Sequence, residues 1–373
     1  MKIVMLLGRS TGGIAGHVAE LSAHLRDRGE DLLVVTDPLT ARRFDPRLVR
    51  LWWPESGGWF RKVSHLGRLR GLASTSDVLH AHGLRAGALG VAVARSLPRE
   101  RRPRVVVTLH NLPIGGRSMS AASAVLERVV ARGADAVLGV SGDLVERAVA
   151  SGARHTARAL VPAPARPPTR RTAVQVRAEL GLSEDGALLV TVARLAPQKG
   201  LDLLCDTALL LKQRLAAGDL PGIATLTWVV AGDGPLAEHL AGRIEDQGLP
   251  VVALGRRDDV PDLLAAADLV VSAAVWEGQP IWLQEALWLG AAIVATDVGG
   301  THEVTGEGAS LVAAGNPAYL AGAIVDLLTD EPRREALRHG ALERAQVLPT
   351  MSDAVSQLIG IYAREAPGDA ADG

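Results

Sequence analysis

The chain carries a single cysteine, Cys205, in 373 residues, so no disulfide can form within it. A lone thiol in the run Leu203-Leu204-Cys205 reads as a small core residue, and such sparing usage fits a reducing compartment. Aromatic residues make up only 3%, and seven are tryptophan against two tyrosines and two phenylalanines, so the places where tryptophan sits are informative. Neither sign of charge dominates: the formal net charge is −1, and without a basic field nucleic acid is not an expected partner. No apolar run reaches the ~20 residues of a membrane-spanning helix. The N-terminal run Met1–Leu7 meets Arg9 before it is long enough for a signal peptide. A soluble or peripheral protein is expected, in the cytoplasm or on the inner face of the plasma membrane.

What is present is a hydrophobic fraction of 48%, enough for two domains with separate cores. Short apolar strands alternate with amphipathic helices throughout, which predicts an α/β fold of parallel sheets with helical crossovers. The first unit is a strand over Lys2–Leu7, a Gly-rich loop from Gly8 to Gly16 and a helix carrying Val18, Leu21 and Leu25. Gly12-Gly13 at that helix start lets backbone amides approach an anion, although a tight turn is the commoner use of such a pair. The G-x-G-x-x-G dinucleotide fingerprint is missing. Strands are expected over Asp77–His80, with His82 just past it, and over Arg104–Leu109, followed by His110. Side chains beyond the carboxyl ends of parallel strands line the usual ligand crevice, so His82 and His110 are placed where a base or hydrogen-bonding group could act.

Between Arg42 and Arg70, eight basic residues stand against Asp45 and Glu55, interleaved with Trp52, Trp53, Trp59 and Phe60. That mixture suits an anionic membrane surface; the same composition could cradle an anionic ligand or form a solvated loop with packed rings. A proline-rich stretch, Val161 to Arg171, predicts a semi-rigid linker. Domain one therefore covers 1–162, the linker and start of the second domain 163–185, and domain two 186–350. A C-terminal helix over 351–366 and a tail over 367–373 complete the chain.

In the second half, a strand ending at Val192 leads into Ala193-Arg194-Leu195-Ala196-Pro197-Gln198-Lys199-Gly200. Two cations five residues apart in a strand-to-helix loop can grip an anion from two sides, Arg as a planar fork and Lys as a point charge. Gly232-Asp233-Gly234-Pro235 and Gly255-Arg256 follow later strands. The most organised stretch is Trp276-Glu277-Gly278-Gln279-Pro280-Ile281-Trp282-Leu283-Gln284-Glu285, running on to Gly290. Pro280 suits a first helical turn and Gly290 a left-handed stop. Glu277 then sits at the helix mouth and Glu285 roughly 7 Å along it. Leu283, Ala286, Leu287 and Gly290 share a core face, while Glu285 lies opposite among Ile281, Trp282, Trp288 and Leu289. A carboxylate in such surroundings needs a partner: a ligand's hydroxyl pair, or an internal cation or cap.

Taken in order, Gly12-Gly13, Ala193-Arg194 with Lys199-Gly200, Gly232–Pro235, and Glu277-Gly278-x-Pro280 with Glu285-Ala286 resemble glycosyltransferase family 4. The likeness runs over nearly the whole chain. It implies a GT-B fold, two facing Rossmann-like domains with parallel sheets and a C-terminal helix crossing back to the first. It implies a retaining transferase moving a sugar from a nucleoside diphosphate to a lipid-linked, glycan or small-molecule acceptor. By the same resemblance, Arg194 and Lys199 neutralise the diphosphate, Glu285 holds the ribose, and Glu277 positions the transferred sugar with backbone amides from Gly278, Gln279, Pro280 and Ile281. Gly255 and Arg256 border the base, Gly12 and Gly13 face the phosphates, and His82 matches the family's active-site histidine, with His80 open to confusion with it. No Asp-x-Asp occurs, so neither a metal nor another cofactor is expected. The chain departs from the family at Ala292, at bulky Trp282 and Trp288, and in replacing the usual Asn-Gly-Val/Ile-Asp by the proline linker. A nucleotide-sugar epimerase and a catalytically idle scaffold subunit are the competing expectations.

Overall fold

The computed structural model describes residues 1–10, 12–52, 59–112, 117–163, 167–183 and 185–363. The chain divides into two compact units, Met1–Pro162 with Pro349–Gly373, and Ala163–Leu348.

The first unit is a seven-stranded parallel sheet built from β1 (Lys2–Leu7), β2 (Asp31–Thr36), β3 (Val49–Trp52), β4 (Val78–His82), β5 (Arg104–Leu109), β6 (Ala136–Gly139) and β7 (Thr156–Arg158). Its order is β3-β2-β1-β4-β5-β6-β7, which reverses direction between β1 and β4. The central strands are apolar on both faces because helices cover both, as a parallel sheet requires; Ile3, Val4 and Met5 are fully buried. His82 is the last residue of β4 rather than a residue beyond it. The predicted loop Gly8–Gly16 is shorter than expected: the helix already starts at Gly13, with Gly12 as its N-cap.

Regular structure also enters the basic stretch Arg42–Arg70, as edge strand β3 and the helix Trp59–Ala73. Arg47 there is paired with Asp45 at 2.7 Å. The tryptophan and basic side chains between Arg50 and Lys62, on which the membrane expectation rests, lie outside the described residues. Among the described residues, no helix is long and apolar enough to cross a membrane.

The helix Met351–Ala363 belongs to this unit and packs on the helix Gly13–Asp27. Its Gln357 donates to Arg158 O at 2.8 Å and accepts from Leu160 N at 3.2 Å, joining the last helix to the end of the sheet.

The second unit is a six-stranded parallel sheet of β8 (Gly186–Val192), β9 (Thr225–Ala231), β10 (Val251–Gly255), β11 (Leu269–Ser272), β12 (Ile293–Thr296) and β13 (Ser310–Val312). Its order, β10-β9-β8-β11-β12-β13, repeats the reversal, now between β8 and β11. Trp228 is fully buried in its core. The indole N–H donates to Thr191 Oγ1 at 2.9 Å, and that hydroxyl donates to Val271 O at 2.6 Å, so the one polar atom of a large apolar ring is satisfied. In the linker region, Arg171 is held by Asp259, Asp262 and Glu179, anchoring the segment before the helix Ala173–Glu179 onto this unit.

Candidate active site

In an open α/β sheet, the loops on either side of the point where strand order reverses diverge and leave a crevice at the strands' carboxyl ends. In the second unit those loops follow β8 and β11, and they carry Lys199 and Glu277. A short 3-10 turn over Pro197–Lys199 lifts the lysine, and Gly200 ends it in the left-handed region (φ 63°). A Cβ on Gly200 would stand 1.9 Å from Ala273 O, so the residue must be glycine both for its backbone angle and for its contact with the neighbouring loop. Gln198 O accepts from Val275 N at 2.9 Å, which ties the lysine's own loop to the strand of residues leading into Glu277.

From the other side, Gly300 N donates to Glu277 O at 2.9 Å, and a Cβ on Gly299 would stand 2.0 Å from that same carbonyl. Thr296 Oγ1 donates to Ala274 O at 2.6 Å. Glu277 is thus fixed by its backbone before its side chain does anything. Only 6% exposed, its Oε1 accepts from Lys199 Nζ at 2.5 Å. Two of the predicted site residues, 78 positions apart in sequence, therefore meet as a largely buried ion pair.

The helix beginning after Glu277 is Ile281–Trp288, with Pro280 as N-cap rather than first-turn residue. Leu283, Ala286 and Leu287 are fully buried against the sheet, as their spacing predicts. Gly290 (φ 66°) stops the helix with paired bonds, Gly290 N to Leu287 O and Ala291 N to Ala286 O, both 3.0 Å. Glu285 is half-buried on the opposite face. Gly278 and Pro280 are buried, and Gln279 and Ile281 half-buried. Arg194, Gly255 and Arg256 are exposed, and neither arginine has a side-chain partner among the described residues. Sequence reasoning passed over Gln284, 2% exposed, whose Oε1 accepts from Ala163 N at 2.9 Å and pins the start of this unit to the site helix.

In the first unit the reversal point lies between β1 and β4, and it gathers four histidines. His82 ends β4, His110 follows β5, His80 sits two residues earlier on the same face of β4, and His17 lies one turn into the helix that Gly12 caps. All four are buried. His80 is saturated: Nδ1 lies 2.6 Å from the Tyr362 hydroxyl and Nε2 2.8 Å from Thr108 Oγ1. It serves as a structural tie between the sheet and the last helix, which separates it from His82. His82 Nδ1 is 3.1 Å from His110 Nε2, while His82 Nε2 is buried with no partner among the described residues.

Burial disfavours the imidazolium form, taking His17 to about 4 and His80 and His110 to about 3, and holding His82 well below the usual histidine range. At neutral pH each ring is uncharged, with one donor and one acceptor nitrogen. His17 escaped notice in the sequence because it interrupts an apolar face of Val18, Leu21 and Leu25, where a lone histidine carries no periodic signal. Gly12 is exposed, and a Cβ there would meet nothing within 4 Å, so packing places no demand on it. A shallow cleft is lined by Leu109, Asn111 and Val130 and by the Glu127–Arg147 pair, 2.9 Å apart. Among the described residues, no group of three or more His, Cys, Asp or Glu is placed to hold a metal ion.

Comparison with known proteins agrees with this architecture. A family model described as "Glycosyl transferase 4-like domain" matches residues 12–164, and one described as "Glycosyl transferases group 1" matches 186–330. D-inositol 3-phosphate glycosyltransferase 1 of Catenulispora acidiphila is 30% identical over 317 residues, 77% of this chain and 72% of that protein. The lipopolysaccharide core biosynthesis mannosyltransferase LpsB of Rhizobium meliloti is 30% identical over 189 residues, 48% of this chain and 51% of that protein. The solved structure of Anabaena Alr3699/HepE in complex with UDP-glucose is similar in fold, with a TM-score of 0.79 at 21% identity over 97% of this chain and 99% of that one. Two doubly wound parallel-sheet units, the second with a glutamate-bearing loop at its reversal point, define a GT-B glycosyltransferase, and the chain belongs to glycosyltransferase family 4.

Proposed function

We propose that the protein transfers a sugar, with retention of anomeric configuration, from a nucleoside diphosphate to a hydroxyl of a lipid-linked, glycan or small-molecule acceptor. The observation that carries this reading is the buried Lys199–Glu277 pair at the β8/β11 reversal point. A lysine paired with a carboxylate is a cation that can exchange partners. When a diphosphate arrives, the ammonium moves its hydrogen bonds to phosphate oxygens, and the freed Glu277 carboxylate accepts from hydroxyls of the transferred sugar. Exposed Arg194 adds a second positive charge with an unengaged fork.

Departure of the diphosphate breaks the bond from the anomeric carbon to phosphate oxygen, leaving an oxocarbenium-like sugar. The acceptor hydroxyl forms its bond to that carbon on the same face, and its proton passes to the departing phosphate oxygen. Lys199 and Arg194 act by stabilising the negative charge that grows on that phosphate. Glu285 takes the ribose hydroxyls, Gly255 and Arg256 border the base, and the amides around Gly278–Ile281 meet the donor at the helix start. In the first unit, His82 offers its unpartnered Nε2, and Gly12 and Gly13 present exposed backbone to phosphate. The relatives named for an inositol phosphate acceptor make a phosphorylated polyol the first small molecule to try.

Three results test this reading. Incubation with UDP-, GDP- or ADP-sugars and an acceptor should release free nucleoside diphosphate together with a glycosylated product of unchanged anomeric configuration. An epimerised nucleotide-sugar with no nucleotide release would overturn transfer. Glu285→Ala should weaken donor binding by about 10–100-fold in calorimetry, the effect of losing hydrogen bonds to a charged group; unchanged donor affinity would remove Glu285 from the ribose. Because two side-chain cations are available for the diphosphate, turnover is proposed to need no metal: EDTA should leave the rate unchanged, and a loss reversed by added Mg²⁺ or Mn²⁺ would contradict that assignment.

A further inference from the structure

We propose that His110 is a positioning residue, whose Nε2–H donates to Nδ1 of His82 and so fixes His82 in the tautomer that presents Nε2–H to an oxygen of the bound ligand. This rests on the reading that His82 contacts substrate. The two ring nitrogens are 3.1 Å apart inside the protein, so a single proton lies between them. Neutral rings, held so by burial, leave two arrangements. If His110 donates, both residues adopt the Nε2–H form, the tautomer that free histidine side chains favour. If His82 donates, both must take the less favoured Nδ1–H form. The first arrangement turns the remaining nitrogen of His82 into a hydrogen-bond donor; the second makes it an acceptor.

The surroundings leave His82 little freedom to solve the problem otherwise. The His80 ring lies on one side with its centroid 4.2 Å away, and the His110 ring lies 5.4 Å away, tilted by 32°. His80 cannot relay a proton to it, since both nitrogens of His80 are committed to Tyr362 and Thr108. His82 Nε2 is left buried and without a partner among the described residues. A buried polar atom without a protein partner is placed to take one from a bound ligand or from solvent. A donor there suits the lone pairs of a sugar hydroxyl or of a phosphoryl oxygen. Orientation of a ligand-facing imidazole by a hydrogen bond on its other nitrogen is a general device for choosing which nitrogen carries the proton.

The test is ¹⁵N NMR of the full chain labelled at histidine, with the His82 signals assigned by their loss in His82→Phe, alongside kinetics of variants. The expected spectrum shows His82 protonated at Nε2 with Nδ1 as the hydrogen-bond acceptor. His110→Phe should lower kcat by about tenfold or more, with the KM for donor little changed. His110→Gln, whose amide can donate to the same nitrogen, should restore most of the activity. A His82 ring protonated at Nδ1 overturns the proposal. Unaltered kcat in His110→Phe, with His82→Phe impaired, also overturns it while leaving the role of His82 standing. Full activity in His82→Phe would instead remove the reading on which it rests. Should His110→Phe fail to fold, the spectrum of the unmodified protein decides.

Discussion

Replacing Lys199 by methionine is expected to lower kcat/KM by about 10²–10³-fold, the scale for removing one preorganised group that stabilises transition-state charge. The substitution also strands Glu277, which is 6% exposed and has Lys199 as its side-chain donor. An uncompensated buried carboxylate destabilises the fold, by about 3–5 kcal/mol in fully buried cases and by less at this partly open site. Activity and stability are therefore separable. Combining Lys199→Met with Glu277→Gln should recover much of the lost stability, because no unpaired charge remains, and recover none of the activity. Denaturant midpoints and initial rates on the two variants read both quantities. If the double variant regained activity, the lysine would be serving the carboxylate and not the phosphate.

Gly200→Ala should destabilise the second unit by about 3 kcal/mol or more. Two costs add: a left-handed backbone angle that alanine adopts poorly, and a methyl placed 1.9 Å from Ala273 O. Since that carbonyl belongs to the loop leading to Glu277, relief of the clash must push apart the loops that bring Lys199 and Glu277 together. Donor affinity should fall with stability, read as a lower denaturant midpoint and weaker nucleotide-sugar binding. Gly218→Ala, at a helix C-cap with φ 83° where a Cβ meets nothing within 4 Å, is the control that carries the backbone-angle cost without the clash. A Gly200→Ala protein as stable as the original would show that the two loops are not packed as described.

The contrast between these two glycines shows where the sequence was informative and where it was not. Alternating strands and helices made both sheets legible, and the central strands lie within one or two residues of expectation. The edge strands β3, β7 and β13 were not read, since three or four residues carry no usable periodicity. The motif Lys199-Gly200 suggested a ligand loop, but only the fold shows that Gly200 is needed to let one carbonyl approach. Paired glutamates at 277 and 285 were visible as a pattern; that the first pairs with Lys199 was not, because the two are brought together by adjacent strands of the sheet and the loops that follow them. The same limit applied to His80 and His82. Two residues apart on one strand, they share a face, and the assignment of one to structure depends on Tyr362, 282 positions away.

The central claim is that the second unit binds a nucleoside diphosphate through the lysine it holds against Glu277. Calorimetric titration of UDP, GDP and ADP into the unmodified protein and into Lys199→Met tests it most directly. At least one nucleotide should bind the unmodified protein and lose tenfold or more in affinity for the variant, an energy of about 1.4 kcal/mol. Failure of all three to bind, or equal affinity for both proteins, would contradict the account.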